Sequence, residues 1–206
     1  MKMHNKYAQR YAKSAAGPPI FRFGSPWGRR DASGKVMRKL TTIALCLMSL
    51  LAFADEDCSP EAIGVDETST KIELHFYTGT CHYRNEDYQL SVRSWEKLAE
   101  LDASTSADEE LKIDVLNNLG YMKFFGYGTR TDKKTAISYW SKATLLGHYE
   151  AEYHLCHAYA DSDQPTYDIA KARMHCEKAR LIYKGKDDSD PEILEDIEKY
   201  IKKVGG

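Results

Sequence analysis

Three stretches of this chain carry residue types that could do chemistry. Ser94-Trp95-Glu96-Lys97 places a serine and a lysine three residues apart. At that spacing a lysine amine can activate a serine hydroxyl for acyl transfer. The chemistry also needs an oxyanion hole and accompanying S-D-N and K-T-G elements. The nearest strings, Ser162-Asp163-Gln164 and Lys134-Thr135-Ala136, depart from both and fall in the wrong contexts. Ser94 to Lys97 lie on a predicted amphipathic helix, with Lys97 on its solvated face. His154, Cys156, His157, His175 and Cys176 offer imidazole and thiolate, the ligands zinc favours. On one helix, however, residues 154, 156 and 157 do not all point one way, and His175 reads as a packed core histidine. Gly126-x-Gly128 resembles a phosphate loop only in its glycines: no strand precedes it, and it is neither GxGxxG nor a P-loop. We therefore expect no catalysis, no metal and no cofactor.

The cysteines also bear on the compartment. Of the five cysteines, Cys46 lies in an apolar leader, which leaves Cys58, Cys81, Cys156 and Cys176. An even number behind a leader fits two disulfides in an oxidising compartment. Three pairings are open at this point, and four buried thiols are the alternative.

The leader itself is residues 37–54. Met37-Arg38-Lys39 is a basic start, Leu40 to Leu51 is uncharged, and Ala52-Phe53-Ala54 fits an A-x-A cleavage site before Asp55. We expect cleavage between Ala54 and Asp55 and a periplasmic or secreted product. Fifteen residues from Leu40 to Ala54 fall short of the ~20 that span a bilayer, so stable membrane insertion of the mature chain is not expected. Cys46 follows Leu45 rather than the small residue of a lipobox. Residues 1–36 are expected to be disordered, with translation starting at Met37; an Arg-rich targeting segment is the alternative.

Charge is divided along the chain. Of 29 basic and 31 acidic residues, ten basic and one acidic fall in residues 1–54. Residues 55–206 keep 19 and 30, a net −11. Phosphate contacts need clustered Lys and Arg, so a nucleic-acid partner is not expected.

The elements that would position these groups are helices. Val115, Leu116, Leu119, Met122 and Phe125 recur at near-helical spacing and stop at Gly126. Asp132 is a good N-cap for a second helix carrying Ala136, Ile137, Tyr139, Trp140, Ala143, Leu145 and Leu146 up to Gly147. The pattern returns 36 residues later: Leu155, Asp168, Ala172, Lys178, Ala179 and Leu181 repeat Leu119, Asp132, Ala136, Lys142, Ala143 and Leu145. A helix pair repeating at this period marks an α-solenoid.

Leu119-Gly120, Phe125-Gly126-Tyr127-Gly128, Asp132, Ala136, Tyr139-Trp140 and Lys142-Ala143 together resemble the SEL-one-like repeat, a cousin of the tetratricopeptide repeat with a glycine-rich inner loop. The resemblance implies an all-α fold, an α-α superhelix, and a style of function: protein binding. In the 151–184 copy the loop Asp161-Ser162-Asp163-Gln164-Pro165 lacks both glycines, and Cys156 stands where Gly120 stood. Through that alignment the resemblance implies a Cys156–Cys176 disulfide, with Cys58 and Cys81 forming the other.

The expected domain is 55–206, with a degenerate repeat at about 69–101, repeats at 111–147 and 150–184, and a capping helix at 190–204. In the first, Trp95, Ala99 and Leu101 match Tyr139, Ala143 and Leu145. Residues 69–78 alternate as a strand would, at Ile72, Leu74 and Phe76. Thr70-x-x-Glu73 is nevertheless a possible capping box, and we read a helix. Ser106-x-x-Glu109 is expected to cap the long helix before the best repeat. Asp190-Pro191 starts the last helix, whose apolar stripe is Ile193, Leu194, Ile197, Tyr200, Ile201 and Val204.

In this resemblance the first helix of each repeat lines the concave side. The expected partner-binding residues are then Asp114, Asn117, Tyr121 and Phe124, followed by Glu150, Tyr153 and His157. The reading is a monomeric exported adaptor that binds a protein. A periplasmic immunity or inhibitor protein against a secreted toxin is one alternative. A weak β-lactamase-like hydrolase on Ser94 and Lys97, as described for some cysteine-rich members of the family, is another.

Overall fold

The computed structural model describes residues 55–186 and 190–205. The expected leader at 37–54, its cleavage and the nature of 1–36 lie outside the described residues. Among the described residues there are seven α-helices and no strand. They are α1 (Lys71–Arg84), α2 (Tyr88–Glu100), α3 (Ser106–Phe125), α4 (Lys133–Leu145), α5 (Tyr149–Ala160), α6 (Ile169–Lys184) and α7 (Pro191–Lys203). None of these is long and apolar enough to cross a membrane.

Local chemistry starts these helices. The Thr70 hydroxyl accepts from the Glu73 backbone N–H, and Glu73 accepts from the Thr70 N–H. This box satisfies two orphan donors, so helix wins over the alternating pattern in 69–78. Asp132, Asp168 and Asp190 cap α4, α6 and α7, the last with Pro191 in the first turn. The cap of α3 is a correction: Thr105, not Ser106, accepts from the Asp108 N–H. Gly126 ends α3 at φ 82°, a left-handed conformation that costs glycine little.

The helices pair in order, α1 with α2, α3 with α4 and α5 with α6, and each second helix also touches the next first helix. One contact recurs in all three pairs. A Cβ on Gly79 would lie 2.5 Å from Trp95 Cδ1, and one on Gly120 would lie 2.5 Å from Trp140 Cδ1. Only glycine lets each indole sit against the facing backbone. In the third pair the same two places hold Cys156 and Cys176, joined as a disulfide with Cα atoms 4.5 Å apart. This geometry sets the register of the first pair. Trp95 corresponds to Trp140 rather than Tyr139, and Leu98 to Ala143 in place of Ala99. Trp95 and Leu98 are fully buried, like Trp140 and Ala143.

Leu145, Leu146 and Leu181 do not belong to the inward stripe: they are exposed. The stripe of α4 is Ala136, Trp140 and Ala143. Two residues beyond Ala143 is about 200° around the helix, which turns Leu145 away from the contact. At the end of the chain, α7 packs on both α5 and α6 through buried Ile197, Ile201 and Val204. Arg173 of α6 donates to the Val204 carbonyl at 2.8 Å.

The segment before α1 is pinned to it. Cys58 is bonded to Cys81, which is fully buried, with Cα atoms 5.7 Å apart. Asn85 Nδ2 donates to the Glu56 carbonyl at 2.7 Å, the Glu56 N–H donates to Asn85 Oδ1 at 2.9 Å, and Arg84 pairs with the Glu56 carboxylate.

Candidate interaction face

The residues expected to meet a partner divide into three groups. Asn117 is fully buried and Phe124 is 2 % exposed, so neither is presented to a partner. The reason is that α3 touches α1, α2, α4 and α5 at once. Phe124 packs on Trp140, ring centroids 5.2 Å apart, and on His157 of α5 at 5.6 Å. Tyr121 is also mostly covered, at 7 % exposure. Its ring stacks flat on Tyr127, centroids 5.8 Å apart, and burial raises its hydroxyl pKa, with Tyr127 adding to the effect.

The second group keeps an outer edge. Phe125, expected on the core stripe, is 39 % exposed, and Tyr127 is 37 % exposed. Phe125 lies 4.7 Å from Tyr121 and stacks on His157 at 6.0 Å. His157 in turn meets Tyr200 of α7 at 5.6 Å, and Tyr127 meets Tyr88 of α2 at 5.4 Å. The result is one connected aromatic strip: Tyr88, Tyr127, Tyr121, Phe125, His157, Tyr200. It runs across four helices and one loop. Burial lowers the His157 imidazole from its ordinary value, against Asp161 and Asp196. It pushes the Tyr200 hydroxyl up to about 12.

The third group gathers at the start of α5. Asp114, with its side chain 27 % exposed, sits 3.5 Å from His148 Nε2. Glu150 is 8 % exposed and accepts from the Tyr149 hydroxyl at 3.0 Å. Burial pushes the Glu150 carboxyl above the usual carboxylate range, against the pull of His148 and the Tyr149 hydroxyl. Tyr153 is half-buried, 6.3 Å from the Tyr183 ring. Thus Asp114, Glu150 and Tyr153 do come together, while Tyr121 and His157 belong to the aromatic strip.

The residues weighed for catalysis or a metal are otherwise engaged. Ser94 is buried and donates to the His75 carbonyl at 3.1 Å, whereas Lys97 is exposed. Cys156 and Cys176 have no free sulfur to offer a metal. His154 is stacked on Trp140 and its pKa is pushed down to about 3 by burial, with His157 and His148 adding. His175 is no packed core histidine: its Nδ1 lies 2.7 Å from Glu152 Oε2, and Lys178 shares that carboxylate. Burial alone would raise Glu152, but these two partners hold it below the usual range. The Gly126-x-Gly128 loop lies against α2, since a Cβ on Gly128 would collide with Gln89 N at 2.5 Å.

Sequence reasoning did not name Phe125, Tyr127, Tyr200, Tyr149 or Tyr183 for this face. Tyr127 stood in view between the two loop glycines, and an exposed aromatic at a tight loop is a signal that could have found it. No family model, no curated protein and no solved structure matches this chain.

Proposed function

We propose that this chain is an exported, non-catalytic binding module that docks a protein partner along the aromatic strip. The observation that carries the reading is the continuity of that strip: Phe125 and Tyr127 are exposed on it, and ring contacts connect them to Tyr88 and Tyr200. Aromatic side chains supply large contact area at low entropic cost and are enriched where proteins bind proteins. Asp161, Asp196, Lys133 and Lys203 lie around His157, which supplies a charged rim at that end of the strip.

Stacked helix pairs of the SEL-one-like kind, wound as an α-α superhelix, are the architecture that goes with this function. The threefold recurrence of one contact, Gly79–Trp95, Gly120–Trp140 and Cys156–Cys176, supports it. Export to the periplasm or beyond is supported by two disulfides, which persist in oxidising compartments.

Affinity capture with the wild-type chain, compared with a Phe125→Ser, Tyr127→Ser variant of unchanged circular dichroism, tests the reading. A partner held by the wild type and lost from the variant is the expected result. Equal capture by both would move the interface off the strip.

A further inference from the structure

We propose that the cluster at the start of α5 and the end of α6 is a cation site that takes the ammonium or guanidinium head of a Lys or Arg side chain on the partner protein. This rests on the partner reading above and gives the partner its chemistry.

Three tyrosine rings form the site. Tyr149 and Tyr183 are 5.7 Å apart and Tyr153 and Tyr183 are 6.3 Å apart, centroid to centroid. The faces of such rings attract cations. The chain itself places one there: Lys186 Nζ lies 4.3 Å from the Tyr149 centroid. One carboxylate, Glu150, adjoins the rings through the Tyr149 hydroxyl, and a second, Asp114, lies within electrostatic reach of Glu150. Among the described residues Glu150 has the Tyr149 hydroxyl as its hydrogen-bond partner, and Asp114 has His148 at 3.5 Å.

A second observation is independent of the acids. Tyr183 is 1 % exposed, and its hydroxyl has no hydrogen-bond partner among the described residues. That hydroxyl lies in the field of Glu150, Tyr149, Tyr153 and Asp190. A buried polar group normally finds a partner, so this one is a spare acceptor for an N–H donor.

Other ligand classes fit less well. An anion would meet the carboxylates. A divalent metal needs three or more converging oxygen or nitrogen ligands, and no such group exists among the described residues. A planar guanidinium or an ammonium needs a ring face and a carboxylate, and both are present. Lys186 is then the internal competitor. It covers the Tyr149 ring in the free protein and yields to the partner's cation.

Tetralysine, followed by amide chemical shifts of the full chain, is the probe, with tetraglutamate as the control. Saturable shifts at Tyr149, Glu150, Tyr183 and Lys186 with tetralysine alone are expected. Glu150→Gln should weaken binding about tenfold, as should Asp114→Asn, at a less buried position, which carries the test if Glu150→Gln folds poorly. Lys186→Met should tighten binding, because the competitor is gone and Tyr149 is unmasked. Shifts spread over the acidic surface with equal affinity in all variants would overturn the site. Partner capture that depends on Phe125 while tetralysine leaves Tyr149 and Glu150 unmoved would keep the partner reading and overturn this assignment.

Discussion

Cys156 and Cys176 meet where Gly120 and Trp140 meet one repeat earlier. The Trp140 indole fills the space left by the missing Cβ of Gly120, and its Nε1 donates to the Asn117 carbonyl at 3.1 Å. The third pair has no indole to bury there. A covalent bond between Cα atoms 4.5 Å apart holds the same two helices. The exchange is one of mechanism: buried aromatic area in one pair, chain cross-linking in the next.

The cross-link closes a loop with a sequence separation of 20. In the chain-entropy model this stabilises by roughly 3 kcal/mol. Reduction should lower the melting temperature of the wild type, and lower it less in a Cys156→Ser, Cys176→Ser variant, where only Cys58–Cys81 remains to be reduced. Non-reducing peptide mapping checks the pairing. Equal sensitivity to reductant in both proteins would mean that the first disulfide alone carries the effect.

Gly120→Ala should destabilise by about 1–3 kcal/mol, the range for overpacking a filled core. The added methyl has no room, because Trp140 is fully buried and cannot swing out. Gly185→Ala is the control. Its φ is −86° and the new Cβ would meet only carbonyl oxygens at 3.4 and 3.6 Å. That change should be neutral or stabilise by about 0.4–1 kcal/mol through the unfolded chain. The urea midpoint should fall for Gly120→Ala and stay or rise for Gly185→Ala, the two differing by at least about 0.3 M at ordinary slopes of about 1–3 kcal/mol per M.

Much of the fold could be read from single residues. Thr70, Asp132 and Asp190 announce helix starts because a cap is a local hydrogen bond, fixed within three residues. The cysteine pairing followed from the repeat, since a fixed offset maps one helix contact onto the next. The interaction face was legible only in part. From Val115 to Phe124 every residue of α3 except Lys123 is buried under its four neighbours, so that half has no polar face to set the phase of its periodicity. That is why Phe124 and Phe125 exchange roles, and why Asn117 is buried despite its amide. Tyr127 and Tyr200 join the strip through contacts between a loop and α2 and between α7 and α5, which no local pattern encodes.

Ser94→Ala should cost stability and nothing else. The hydroxyl is spent on the His75 carbonyl, and losing one such bond costs about 1 kcal/mol. Nitrocefin hydrolysis by wild type and variant should match the buffer rate. Turnover by the wild type that disappears in Ser94→Ala would restore the acyl-transfer reading that the buried hydroxyl and exposed Lys97 argue against.

His154 should make the fold acid-sensitive. Its imidazole is 6 % exposed, stacked on Trp140 at 4.9 Å and flanked by Tyr121 at 5.9 Å. Burial, then the nearby His157 and His148, bring its pKa from 6.5 down to about 3. The unfolded chain therefore binds a proton below pH 6.5 that the folded chain refuses until about pH 3. Protonation favours the unfolded state throughout that window, so stability falls as the pH is lowered. The slope from this residue is about 1.4 kcal/mol per pH unit, or about 2 kcal/mol between pH 7 and pH 5. His157, also held low, and Glu152, held below its usual range, act in the same direction; Glu150, held above it, acts in the opposite one. His154→Phe keeps an aromatic ring against Trp140 and removes the titration. Unfolding free energies measured at pH 7 and pH 5, with both disulfides intact, should fall by about 2 kcal/mol less in the variant than in the wild type. Parallel losses in the two proteins would mean that the ring is protonated inside the fold, and that α5 opens there far more readily than its packing against Trp140 implies.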